Sequence, residues 1–178
     1  MTDQLSAQDW LDQGLKTLAT QGFAALKAEP LAKAMGVSRG SFYWHFADIG
    51  AFHAAILEYW REVAAEAIIA HVEAASSGAD PLIVLLQRVY SEKLALERAV
   101  RSWATFDAAA KAAVQAIDRR RLDYIESLIR ARSVATDVAQ ARAQILYWAF
   151  LGYALSDKML SKAQREAFIA ELTRIATL

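Results

Sequence analysis

Apolar residues recur at intervals of three and four along almost the whole of this chain, and no stretch alternates apolar with polar as a half-buried strand would. A chain patterned this way buries its apolar groups by folding into helices and packing their stripes together. Only two prolines, Pro30 and Pro81, interrupt the pattern. Proline removes a backbone donor and breaks a helix interior, so long unbroken helices are expected. Apolar residues make up 56% of the 178 positions, which excludes disorder and supplies one good core or a small head on a larger body. The expected fold class is all-α.

Helix boundaries can be read from capping chemistry. Ser6 with Asp9 forms a capping-box pattern, opening a helix that buries Trp10, Leu11, Leu15 and Leu18 and stops near Gly22. A single long helix is expected from about Asp48 to about Ala75, with Phe52, Ile56, Trp60, Val63 and Ala67 along its buried stripe. Ser76-Ser77-Gly78-Ala79 reads as a loop, after which Asp80 caps and Pro81 takes the first helical position. Asp107 caps a helix reaching about Ala131, Thr136 or Asp137 opens the next, and Ser161 with Gln164 is a second capping box. Eight or nine helices result.

Several classes of function fall away. With no cysteine there are no disulfides and no thiolate metal sites. The opening Met1-Thr2-Asp3-Gln4 has neither the basic segment nor the apolar run of an export signal, so a cytoplasmic location is expected. The longest apolar run, Ile145 to Leu155, is too short to span a bilayer. His45, His53 and His71 are the three histidines, and no two stand at a metal-binding helical spacing. Glu58, Glu62 and Glu66 recur every four residues with Arg61 among them, which reads as a solvent face. No enzyme, metal site or cofactor is expected. Net charge is zero, and residues 1–50 carry four cations against five anions. Bulk electrostatics therefore give no support to nucleic-acid binding, and that reading stands on motif alone.

The motif lies between Leu31 and Phe46. Ala32 is small where two helices must cross. Gly36, four residues on, can take the left-handed conformation that ends a helix. Val37 plugs the turn, and Ser38 is placed to cap a second helix. Phe42 and Phe46, one turn apart, point at one core. This is the helix-turn-helix spacing. With Phe42 and Phe46 turned inward, Gly40 and Trp44 fall on the opposite side, flanked by Tyr43, Ser41 and His45, with Arg39 at the tip. Arg39 suits the edge of a guanine, Gly40 allows close approach, and Ser41, Tyr43 and His45 can donate to phosphates.

From Gly22 to Phe52 the chain resembles the TetR/AcrR family of bacterial transcriptional regulators, on Gly36-Val37-Ser38, Phe42-Tyr43 and His45-Phe46. A weaker likeness covers Trp103, the run from Asp118 to Tyr124, and Tyr147 to Gly152. The resemblance implies a helix-turn-helix head over 1–47 and a helical ligand-binding and dimerisation body over 48–178. It implies a homodimer on a palindromic double-stranded DNA operator, with repression lifted by a small effector. It carries DNA contacts onto Arg39, Gly40, Ser41, Tyr43, Trp44 and His45, with Lys27 at the start of the first turn-linked helix. Where the family commonly has a phosphate-gripping lysine this chain has Ile49, between Asp48 and Gly50.

In the body, the run from Ala143 to Leu155 is apolar on every face, and the spare face points to a second copy of the chain, with Ala149 and Gly152 allowing close approach. Trp103, Phe106, Tyr147 and Phe150, set among alanines, are the candidate wall of a pocket for a hydrophobic or aromatic effector. Arg119, Arg120 and Arg121 read as solvated face or dimer rim. The competing reading is a helical small-molecule-binding or protein-interaction module whose head no longer binds DNA.

Overall fold

A computed structural model describes residues 5–75, 78–91, 94–156 and 160–177. The loop residues Ser76 and Ser77 lie outside this set, as do Met1 to Gln4 and the export-signal reading made on them.

Every regular element among the described residues is helical. The α-helices are α1 (Ala7–Gln21), α2 (Ala28–Ala34), α3 (Arg39–Tyr43), α4 (Ile49–Arg61), α5 (Ala67–Ala75), α6 (Pro81–Ser91), α7 (Ala95–Trp103), α8 (Ala108–Arg130), α9 (Thr136–Leu155) and α10 (Lys162–Thr177). A 3₁₀ turn covers Phe23–Ala25, and a π-helical turn, Glu62–Glu66, joins α4 to α5. With α4, the π turn and α5 taken together, the described residues form nine helices.

Four of the expected caps form, while at the head of α9 the capping position falls to Ala135, which makes no side-chain bond. The Ser6 amide donates to Asp9 at 2.7 Å while the Asp9 amide donates to Ser6 Oγ at 3.2 Å. Ser161 and Gln164 exchange the same pair of bonds at 3.0 and 3.3 Å. Asp80 accepts from the Leu82 amide at 2.9 Å with Pro81 opening α6, and Asp107 accepts from Ala110 at 2.8 Å at the head of α8. Each satisfies a backbone donor that the first helical turn leaves unpaired.

The long helix is where the structure departs from the sequence pattern. Phe52, Ile56 and Trp60 are buried as expected, but Val63 is only half-buried and Ala67 is exposed. The π turn inserts one extra residue into the helical repeat. The inward stripe therefore passes from Trp60 to Ala65, and continues with Ile69 and Val72. A pattern read at a constant period cannot anticipate that slip.

The chain divides into two compact units, the first comprising residues up to Glu62 together with Leu94–Gln115, the second the rest of the described chain. In the first, α1 packs on α4 and α7, and α2 on α3. Its centre is aromatic: Trp10 meets Phe42 edge-on at 5.3 Å, and Phe42, Phe46 and Phe52 lie 4.9–5.3 Å from one another. The unit holding the head thus includes α4 and α7 as well as residues 5–47. In the second unit α5 packs on α6, and α10 on α6 and α9, around Leu82, Leu86, Tyr90, Leu146, Tyr147 and Leu172. No described helix is long and apolar enough to cross a membrane.

Candidate nucleic-acid interface

The turn between α2 and α3 is built by the backbone. Gly36 has φ +70°, the left-handed conformation that glycine adopts without steric penalty. Its amide donates to Lys33 at 3.2 Å, and the Val37 amide reaches the Ala32 carbonyl at 3.0 Å. Nested bonds of this kind satisfy the last carbonyls of a helix and reverse the chain at once. Ser38 occupies the capping position of α3, but its side chain makes no capping bond, contrary to the sequence expectation. The first turn of α3 closes on backbone instead, Ser41 donating to the Ser38 carbonyl at 3.0 Å.

The second turn-linked helix is little more than one turn long. α3 stops at Tyr43, and the His45 and Phe46 amides both fold back onto the Phe42 carbonyl at 3.1 Å. Phe42 and Phe46 are nonetheless buried, and the residues between and before them face outward as their spacing requires. Arg39 and Gly40 are exposed, Tyr43 is 45% exposed and Trp44 81%, while Ser41 and His45 are half-buried. Lys27 is exposed at the start of α2. Ile49, half-buried, is the first residue of α4, capped by Asp48 through the Ala51 amide at 2.7 Å.

Two outward residues are joined. The Arg39 guanidinium donates to the Tyr43 hydroxyl at 3.0 Å and lies 5.5 Å from the centre of the Tyr43 ring. The hydroxyl holds the Arg39 proton more firmly still, so this side chain stays cationic throughout. Near the same surface the Ser6 hydroxyl and amide, donating to Asp9, lower that carboxyl's pKa. The resulting face offers a forked cation, a phenol able to donate and accept, an indole donor and a flat glycine surface. Those groups match the base edges and phosphates of a duplex groove.

The four candidate effector residues form two pairs. Trp103 ends α7 buried against Phe23, ring centres 4.6 Å apart, with Phe106 edge-on to Phe23 at 5.5 Å and His53 at 4.9 Å. Tyr147 and Phe150 lie in the second unit, rings 6.1 Å apart on α9. Tyr147 donates to Asp118 at 2.5 Å, and the Arg121 guanidinium stands 5.3 Å from the Phe150 ring.

Arg119 and Arg120 are exposed, as a solvated face requires, and the reading needs correction only for Arg121, which is half-buried. Arg120 forms a two-pronged pair with Glu66, both bonds at 3.0 Å, between two solvent-accessible side chains. Arg121 donates to the Ala64 carbonyl at 3.0 Å. Both partners belong to the π turn, whose widened geometry displaces carbonyls from the regular helical ladder. The sequence gives no sign of these pairings, since they join residues 54 and 57 positions apart. Tyr90 was also missed: it is buried between Tyr153 and Phe168 with no partner for its hydroxyl among the described residues, and burial raises its pKa.

Along α9 the exposed residues Ile145, Trp148, Gly152 and Leu155 fall on one stripe at three- and four-residue spacing, with Val138 on the same stripe seven residues earlier, Trp148 being 63% exposed. A side chain built on Gly152 would meet open space.

Residues 11–56 match the model of the bacterial regulatory proteins of the tetR family. A search of curated protein sequences found no match. Among solved structures, a transcriptional regulator from Rhodococcus sp. Rha1 is similar at TM-score 0.75 and 17% identity, covering 96% of each chain. Reduced NemR of E. coli is similar at TM-score 0.73 and 20% identity, covering 95% of this chain and 96% of its own. The multidrug binding protein EbrR, solved with malachite green, is similar at TM-score 0.64 and 21% identity, covering 95% and 96%. At these identities the likeness shows a shared fold.

Proposed function

We infer that this chain, whose residues 11–56 match the model of the tetR family of bacterial regulators, reads a double-stranded DNA operator as a homodimer and releases it on binding a small hydrophobic or aromatic effector. The observation that carries this reading is the outward face of the turn-linked helix, where Arg39, Gly40, Tyr43 and Trp44 stand exposed over a buried Phe42–Phe46 pair. Residues 1–47 act as the reading head and 48–178 as the regulatory and dimerising body, working in the cytoplasm where the DNA is. A palindromic site follows from two-fold symmetry, since each half-site meets an identical head.

The α9 stripe supports pairing of two copies, because an exposed apolar row at this spacing is what a partner helix covers. Tyr147 and Phe150 within the second unit, and Trp103 and Phe106 within the first, are each, taken separately, aromatic groups that could meet an effector. The similarity of fold to a multidrug binding protein solved with malachite green agrees with that assignment.

Specific observations favour a second reading, a head that has lost DNA binding: residues 1–50 carry one net negative charge, and Ile49 stands where a lysine is common. One series of gel shifts separates the two. DNA from upstream of the protein's own gene is titrated at two salt concentrations with wild type and with Ile49→Lys. The regulator reading expects retarded duplex with wild type, and tighter, more salt-dependent binding with the variant, its slope steeper by about one phosphate contact. An effector found by thermal-shift screening should raise the melting temperature and weaken the retarded band. Absence of retardation for both proteins at low salt favours the interaction module.

A further inference from the structure

We propose that Tyr43 is the positioning residue for Arg39, its hydroxyl setting the direction from which the guanidinium meets a base edge, so that base selectivity belongs to the pair. The inference rests on the DNA-binding reading above. Tyr43 lies four residues after Arg39, one helical turn on, where side chains of a helix are neighbours. The guanidinium donates to the Tyr43 hydroxyl at 3.0 Å while lying 5.5 Å from the centre of the same ring. Hydrogen bond and ring together fix both the distance and the tilt of a side chain that is otherwise long, exposed and free to turn.

Three features make this contact useful. An exposed arginine loses many rotamers when it binds, and a partner that already holds it reduces that loss. A guanidinium has five N–H donors, so one bond to Tyr43 leaves a free pair for the O6 and N7 acceptors of guanine. A phenol accepts and donates at once. Tyr43 can therefore hold Arg39 through its lone pair and still give its own proton to a phosphate oxygen. The outcome is a chain from phosphate through Tyr43 and Arg39 to the base. Glu29 acts on Arg39 only as a charge through space, so no carboxylate among the described residues has to be displaced before the arginine reaches DNA.

The test is a double-mutant cycle on selectivity. A duplex selected from a randomised pool by the wild type, and a shuffled duplex of the same composition, are titrated with wild type, Arg39→Ala, Tyr43→Phe and the double variant. Tyr43→Phe keeps the ring and removes only the hydroxyl, and its fold is checked by thermal melting. Arg39→Ala should lower the ratio of selected to shuffled affinity about tenfold or more. Tyr43→Phe should lower the same ratio roughly threefold to tenfold. With Arg39 already absent, Tyr43→Phe should weaken both duplexes alike and change the ratio less than about twofold. The proposal is overturned if Tyr43→Phe leaves the ratio intact in the presence of Arg39, raises it, or lowers it equally in both backgrounds. Those outcomes leave the DNA reading standing. If the wild type selects no duplex at all, both fall together.

Discussion

A methyl group placed on Gly14 would stand 2.4 Å from Ile56 Cδ1 and 2.8 Å from Phe52 Cζ, both buried side chains of α4. The crossing of α1 and α4 is therefore close because this residue has no side chain. Gly14→Ala should destabilise the fold by about 1–3 kcal/mol, read as a lower urea midpoint with an unchanged slope. Gly36 is sensitive for a different reason: open space surrounds it, and its positive φ is what a side chain resists. Of the two, only Gly36 was legible in the sequence. It sits four residues after Ala32 and just before Val37, in a spacing with one structural meaning. Gly14 looks like any weak point inside a helix, since its reason lies in residues some forty positions away. The outward face of Arg39, Gly40, Tyr43 and Trp44 was readable from Phe42 and Phe46 alone. The Arg39–Tyr43 bond was not, because spacing permits such a contact without requiring it.

Among elements, the π turn Glu62–Glu66 is the one that periodicity missed. Its register slip turns Ala65 inward in place of Val63. Caps were readable because each is a local exchange between residues two or three apart, as Ser6–Asp9 and Ser161–Gln164 show. The π turn is held from a distance, by Arg121 on the Ala64 carbonyl and Arg120 on Glu66. Arg121→Met keeps the apolar stem and removes the donor. It should lower stability by about 1–3 kcal/mol, through the lost bond to the carbonyl and the lost contact with the Phe150 ring. Chemical denaturation of the variant beside the wild type measures it, and an unchanged midpoint would show that the π turn holds itself.

For the whole molecule, the row Val138, Ile145, Trp148, Gly152 and Leu155 is the largest exposed apolar feature of α9. The sequence showed that this helix is apolar all round. It did not show which side the chain covers for itself, which depends on where α10 and α6 pack. Gly152→Arg puts a charge into the row while meeting nothing in the single chain. Sedimentation at micromolar concentration should give two-chain particles for the wild type and single chains, with helicity retained, for the variant. A single-chain wild type would remove the basis for the paired reader. If the pair does form, its population rises as the square of the chain concentration while pairing is sparse. Heads that must arrive in twos then make occupancy of the operator climb steeply over a narrow range of expression. The open side of one helix would set a threshold below which the gene under control does not notice its regulator.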